Sequence, residues 1–219
     1  GDGAADEKVT TIQITRAVIQ SKSVESGVFT SSKGTNVGLL KISSFSQETP
    51  NQVRTSLQEF QNNKAETNIA ALVLDLRGNA GGYMPAGVDV AKLFLPPKTR
   101  IISEVDRTQR ATIYVSDGVG SETTLPLYLL VDERTASASE IVTAALQDNG
   151  RATILGSKTF GKGRIQNVQP LSEGGIAVTR AKYITPKGND IHGVGITPNL
   201  ALESCKSMDS AAVCLTNVI

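Results

Sequence analysis

Apolar positions along this chain fall into short runs separated by polar, glycine-bearing segments. Lys8 to Gln20 alternates, with Val9, Ile12, Ile14 and Val18 among polar residues, and the alternation predicts strand. Ser21 to Thr35 is polar and rich in Gly and Ser, and reads as loop and hairpin. Val37 to Ile42 is a strand. Thr49-Pro50 opens a helix that carries Val53, Leu57 and Phe60 on one face. Ala70 to Leu76, AALVLDL, is almost continuously apolar, the pattern of a strand buried on both faces. A turn, Arg77 to Gly82, leads into a helix expected over Pro85–Leu95.

In the second half, strands are expected at Arg100–Val105, Ala111–Val115 and Pro126–Val131. The last runs through Asp132–Thr135 into a helix over Ala136–Gln147, which Asn149-Gly150 ends. Ala152–Leu155 and Gly175–Ile184 are further strands, and Arg164–Pro170 alternates like one. Strands interleaved with helices predict an α/β core with crossover connections.

Composition narrows the function classes. Hydrophobic residues make up 39% and charged residues 20%, an ordinary globular balance. With 22 basic and 21 acidic residues the net charge is +1, so no bulk attraction to nucleic acid or anionic lipid is expected. No apolar run reaches the roughly 20 residues of a membrane-spanning helix. No signal or transit peptide is recognised, and Gly1-Asp2-Gly3-Ala4 reads as a trimmed start. The two cysteines, Cys205 and Cys214, read either as independent thiols or as a local disulfide of an oxidising compartment. Their spacing matches no zinc motif, and one histidine is too few to complete a site.

Four segments could carry chemistry. Gly156 to Lys162 matches the opening of a phosphate-binding loop, but Gly163 stands where Ser or Thr would hold magnesium. A strand-like segment follows instead of a helix, so nucleotide binding is rejected. His192, the sole histidine, sits in a Gly-rich loop and reads as an exposed loop residue rather than a triad base. The G-x-S-x-G elbow pattern is absent. Thr135-Ala-Ser-Ala-Ser-Glu140 lies between a buried strand and a helix. A serine there faces free helical N–H groups, and the same residues would also make a helix cap with Glu140 closing a capping box. Arg77-Gly-Asn-Ala-Gly-Gly82 is either a tight turn or a source of amides for an oxyanion.

Several blocks resemble the carboxyl-terminal processing peptidases, also called tail-specific proteases. They are LDLRGNAGG at 74–82, PAGVDVAKLF after it, PLYLLVDERTASASEI at 126–141, GSKTFGKGRIQ at 156–166, and GIAVTRAKYITPKGNDIHGVGITPN at 175–199. The resemblance runs from about Val37 to Glu203. It implies a crotonase-like (ClpP/crotonase) α/β fold, a twisted sheet core with crossover helices. It implies a serine peptidase with Ser137, not Ser139, as nucleophile and Lys162 as base. Gln166 would position the lysine amine, and the oxyanion hole would draw on Ala138 and the Gly81-Gly82 turn. The chemistry is coherent: a serine hydroxyl needs a base, and a neutral lysine amine can serve. No metal or organic cofactor is required.

The expected organisation is an N-terminal segment 1–35, a catalytic core 36–203 and a tail 204–219. The family's PDZ domain is largely missing, and Val9 to Val18 would be its exit. The expected partner is a protein substrate with a C-terminal extension. The tail resembles those of plant and algal members that mature a photosystem II reaction-centre precursor in the thylakoid lumen. The resemblance thus implies a Cys205–Cys214 disulfide and a lumenal setting, with the bacterial periplasm as the alternative. A crotonase-type acyl-CoA enzyme and an inactive peptide-binding relative are the other readings.

Overall fold

The structure is a computed structural model, and it describes residues 12–13, 22–63, 68–118, 120–202, 205, 210–215 and 218. The segment expected to be a strand at 8–20 lies outside the described residues, apart from Ile12 and Gln13, which belong to no strand.

The core is a six-stranded sheet. Its strands are β1 (Val24–Thr30), β2 (Asn36–Ile42), β3 (Ala71–Asp75), β6 (Leu127–Val131), β7 (Thr153–Gly156) and β10 (Leu200–Ala201), in that spatial order. β1 runs antiparallel to β2, and the other neighbours are parallel. Parallel neighbours need crossovers. α1 (Thr49–Asn62) connects β2 to β3, and α3 (Ala138–Asp148) connects β6 to β7. Between β3 and β6 the chain forms α2 (Met84–Lys92), then β4 (Arg100–Asp106) and β5 (Ala111–Val115). α1 and α2 each begin with a proline in their first turn, where the missing N–H costs nothing.

Side chains alternate across a strand, and this divides the core in two. Leu40, Ile42, Leu72, Leu74, Leu129, Val131 and Ile154 face the helices and pack with Val53, Leu57, Val88, Phe94, Ile141 and Leu146. The opposite face presents Val37, Ala71, Val73, Leu130 and Leu155. It is covered by Cys205 and by the short α4 (Ala211–Leu215) through Ala211 and Leu215. Cys205 and Cys214 are bonded to one another, so the expected disulfide is present and staples this tail.

A second, antiparallel sheet has the order β5-β4-β9-β8, with β8 at Arg164–Pro170 and β9 at Gly175–Ile184. β4 pairs with β9 only from Ala181 to Ile184. Beyond that point β8 and the first half of β9 pair with each other alone, as an exposed ribbon.

Several expectations shift. The polar Ser21–Thr35 segment holds strand β1, whose residues are mostly exposed because it is an edge strand. The helix expected at Pro85–Leu95 ends at Lys92. The helix expected from Ala136 starts at Ala138, with Ser137 as its N-cap. Among the described residues no helix is long and apolar enough to cross a membrane.

Candidate active site

β3 and β6 are adjacent and parallel, so the turns that follow them emerge side by side. The first runs from Arg77 to Gly82, the second from Asp132 to Ser137. Gly78 N–H donates to Asp132 Oδ1 at 2.9 Å, and Thr135 Oγ1 donates to the Leu76 carbonyl at 2.9 Å. The fully buried Asn79 is the main tie. Its carbonyl accepts from Ala136 N–H at 3.0 Å and from Ser139 Oγ at 2.9 Å. Its side chain donates to the Ile42 carbonyl at 2.8 Å and accepts from Gly81 N–H at 2.9 Å.

Ser137 occupies φ 57°, ψ −117°. A residue with a side chain rarely adopts a positive φ, and the conformation costs about 1–3 kcal/mol. It aims a side chain out of the turn between strand and helix, as in a nucleophile elbow, here with Thr135 and Ser139 at the two positions where that motif has glycines. Ser137 is half-buried. Ser139 is fully buried and its hydroxyl is committed to Asn79, so the two serines of the motif are not equivalent.

Gly81 stands directly against this elbow at φ +100°. A Cβ there would lie 2.7 Å from the Ala136 carbonyl, 2.8 Å from Ser137 Cβ and 3.0 Å from the Ala138 nitrogen. Gly82, at φ +137°, has no room either, because a Cβ would overlap the Phe45 carbonyl. Of the two turn amides, Gly81 N–H is taken by Asn79. The amides of Gly82 and of Ala138, the first residue of α3, have no acceptor among the described residues.

Lys162 reaches the site from the other sheet. The chain leaves β7 at Gly156 and enters β8 at Arg164, so Lys162 lies on the seam between the sheets. Glu140, fully buried in the first turn of α3, holds it there. Glu140 Oε1 accepts from Thr159 Oγ1 at 2.6 Å and Gly161 N–H at 2.7 Å. Glu140 Oε2 accepts from Ser137 N–H at 2.9 Å and Lys162 N–H at 2.8 Å.

The Lys162 side chain is exposed, and no hydrogen bond joins it to Ser137 among the described residues. Gln166, in β8, is also exposed, and its amide donates to Thr179 Oγ1 at 3.4 Å. The structure thus brings Ser137, Ala138, Gly81, Gly82 and the Lys162 backbone together, and sets Gln166 at the base of the ribbon. His192 is exposed; its amide donates to Asp190 Oδ1 at 3.0 Å. Burial pushes the Asp190 carboxyl up, but Arg164, His192 N–H and Lys182 hold it below the usual carboxylate range overall. Sequence reasoning read Glu140 only as a possible cap partner and did not single out Asn79. The one signal for Glu140 was an acid three residues beyond the serine, the spacing of a capping box.

Below the first turn, Arg77 is buried. It forms a two-pronged pair with Asp75, Nε to Oδ1 at 2.9 Å and Nη2 to Oδ2 at 2.6 Å. Its Nη1 also lies 3.2 Å from Cys205 Sγ and 3.1 Å from Cys214 Sγ.

Fold and site together define an α/β protein with a strained serine at a strand-to-helix elbow, faced by a glycine turn. Residues 36–202 match the family model described as Peptidase family S41, and the chain belongs to that family. It is 43% identical over 191 residues to a carboxyl-terminal-processing protease of Synechocystis, covering 87% of this chain and 43% of that protein. It is 42% identical over 185 residues to carboxyl-terminal-processing peptidase 2, chloroplastic, of Arabidopsis thaliana, covering 84% and 35%. Among solved structures, the photosystem II D1 C-terminal processing protease superposes with a TM-score of 0.75 at 35% identity, covering 87% of this chain and 51% of that one. The chain therefore spans less than half the length of those two curated relatives.

Proposed function

We propose that this chain is the catalytic core of a serine endopeptidase that cuts proteins near their carboxyl termini, with Ser137 as nucleophile and Lys162 as general base. The observation that carries the reading is the strained Ser137 turn, which shares one carboxylate oxygen with the Lys162 amide and borders an unpaired amide at Ala138. Neutral Lys162 Nζ takes the proton as Ser137 Oγ attacks the scissile carbonyl carbon. The resulting oxyanion is met by the Ala138 N–H and by Gly82 N–H, since the Gly81 amide is engaged. Lys162 then gives its proton to the leaving amine as the C–N bond breaks. Water, deprotonated by the same amine, hydrolyses the acyl ester. Gln166 orients Lys162 once a substrate is in place, which requires its amide to leave Thr179. The finer fold assignment is crotonase-like, supported by the mostly parallel sheet with crossover helices on one face.

The relatives' printed names support a substrate with a C-terminal extension, and a photosystem II reaction-centre precursor is the specific candidate. The disulfide fits an oxidising compartment, the thylakoid lumen or a bacterial periplasm. A PDZ domain outside this chain would capture the substrate's carboxylate.

The test is labelling by a fluorophosphonate probe together with single-turnover peptide cleavage across pH. Ser137→Ala, Lys162→Ala and Lys162→Arg should all be inactive, because arginine stays charged and cannot accept a proton. Ser139→Ala and His192→Ala should keep most activity. The wild-type rate should rise with pH, as only the neutral amine is a base. Cleavage by Lys162→Ala at the wild-type rate, or its loss in a folded His192→Ala, would overturn the assignment.

A further inference from the structure

We propose that Glu140 is the positioning residue of this site, a buried carboxylate that locks the nucleophile's backbone to the base's backbone. The inference rests on the Ser137/Lys162 reading. A helix cap needs only the bond from Ser137 N–H to Glu140 Oε2. The other three bonds reach 19, 21 and 22 residues further along the chain, to Thr159, Gly161 and Lys162. A carboxylate serving only as a cap would sit at the helix surface, whereas Glu140 is fully buried. Removing a carboxylate from water is costly unless every lone pair is met. Here four donors meet it, and the N-terminus of α3 adds its dipole.

The geometry carries the functional point. Ser137 N–H and Lys162 N–H bond to the same oxygen, at 2.9 and 2.8 Å, so their nitrogens lie within about 6 Å of each other. Ser137 belongs to the turn after β6 in the six-stranded sheet. Lys162 belongs to the segment entering the four-stranded sheet. Glu140 is thus the pin at which the two sheets meet. With both backbones fixed, what is left to set whether the Lys162 amine reaches Ser137 Oγ is the rotamers of the two side chains. An error of one ångström in that alignment is expensive in rate.

The experiment compares Glu140→Gln, Thr159→Val, Ser137→Ala and wild type for probe labelling, kcat and KM on a short fluorogenic peptide. Glutamine matches the shape but must turn its NH2 toward one pair of donors. Glu140→Gln should lose at least about tenfold in kcat and in labelling rate, with KM changed less than about threefold, the signature of an interaction made for the transition state. Thr159→Val removes a partner of Oε1 but leaves the Oε2 bridge, and should stay within about threefold of wild type. A kcat for Glu140→Gln within twofold of wild type, a rise in KM alone, or an equal loss in Thr159→Val would overturn the proposal. Should Glu140→Gln not fold, amide hydrogen exchange on the wild-type chain decides. Ser137 and Lys162 amides protected although neither lies in a ladder support the pin, and exchange as fast as in exposed turns refutes it. Full labelling of Ser137→Ala would remove the dyad reading itself, and the exchange result would still judge the pin.

Discussion

Replacing both Cys205 and Cys214 with serine should destabilise the fold by a calculable amount. The cysteines are nine positions apart. Opening a loop of that size returns roughly 9 cal/mol/K to the unfolded chain, about 2.6 kcal/mol at 25 °C. The serine pair isolates this effect, because its hydroxyls can still accept from Arg77 Nη1, which now lies 3.2 and 3.1 Å from the two sulfurs. The hydrophobic contribution of Ala211 and Leu215 against Val37, Val73 and Leu155 should survive for the same reason. Urea unfolding of the oxidised wild type and the double serine variant is the assay. With a slope of about 2–3 kcal/mol/M, the midpoint should fall by about 1 M. Midpoints agreeing within about 0.2 M would show that the unfolded chain gains nothing from release of the loop. A fall of several molar would show instead that the bond holds the tail in place enthalpically, and the loop-entropy reasoning would fail in that case too.

Two further outcomes are expected besides those tied to Ser137, Lys162 and Glu140. Gly81→Ala should lose almost all probe labelling and about 1–3 kcal/mol of stability in thermal unfolding, since its Cβ would press on Ala136, Ser137 and Ala138 at a positive φ; wild-type labelling would refute the close approach. Burial, with Glu104 next in effect, pushes the Tyr183 hydroxyl from 10.0 up to about 12. The native state keeps this proton while the unfolded chain releases it between about pH 10 and about 12, so stability is intact below that window and falls through it, on the order of 2–3 kcal/mol. Tyr183→Phe should flatten the alkaline limb in denaturant titrations at pH 9 to 12, and an unchanged limb would exclude Tyr183 as its source.

The strands buried on both faces were legible because their sequences leave no polar face: Ala71–Asp75 is buried throughout, as AALVLDL suggested. Strand β1 was not legible as a strand of the core sheet. It is an edge strand with one residue buried out of seven positions, so no alternation marks it. α4 and β10 are too short to show a period. At the site, the serine segment between strand and helix and the glycine turn were legible as segments that could carry chemistry, but the elbow at Ser137 and the union of the two turns were not. That union depends on Asn79, whose side chain and carbonyl bind residues from Ile42 to Ser139. The double role of Glu140 was hidden for the same reason, since the sequence shows its local partner and not those 19 to 22 positions away.

The φ of 57° at Ser137 sets two selections against each other at a single codon. Glycine would adopt that conformation without strain, so Ser137→Gly should fold at least as well as the parent. It would also lack the hydroxyl. A library screened only for thermal tolerance would therefore collect the silent variant, while one screened for turnover would discard it. At this position the better-folded protein is the one that has lost the hydroxyl proposed as nucleophile.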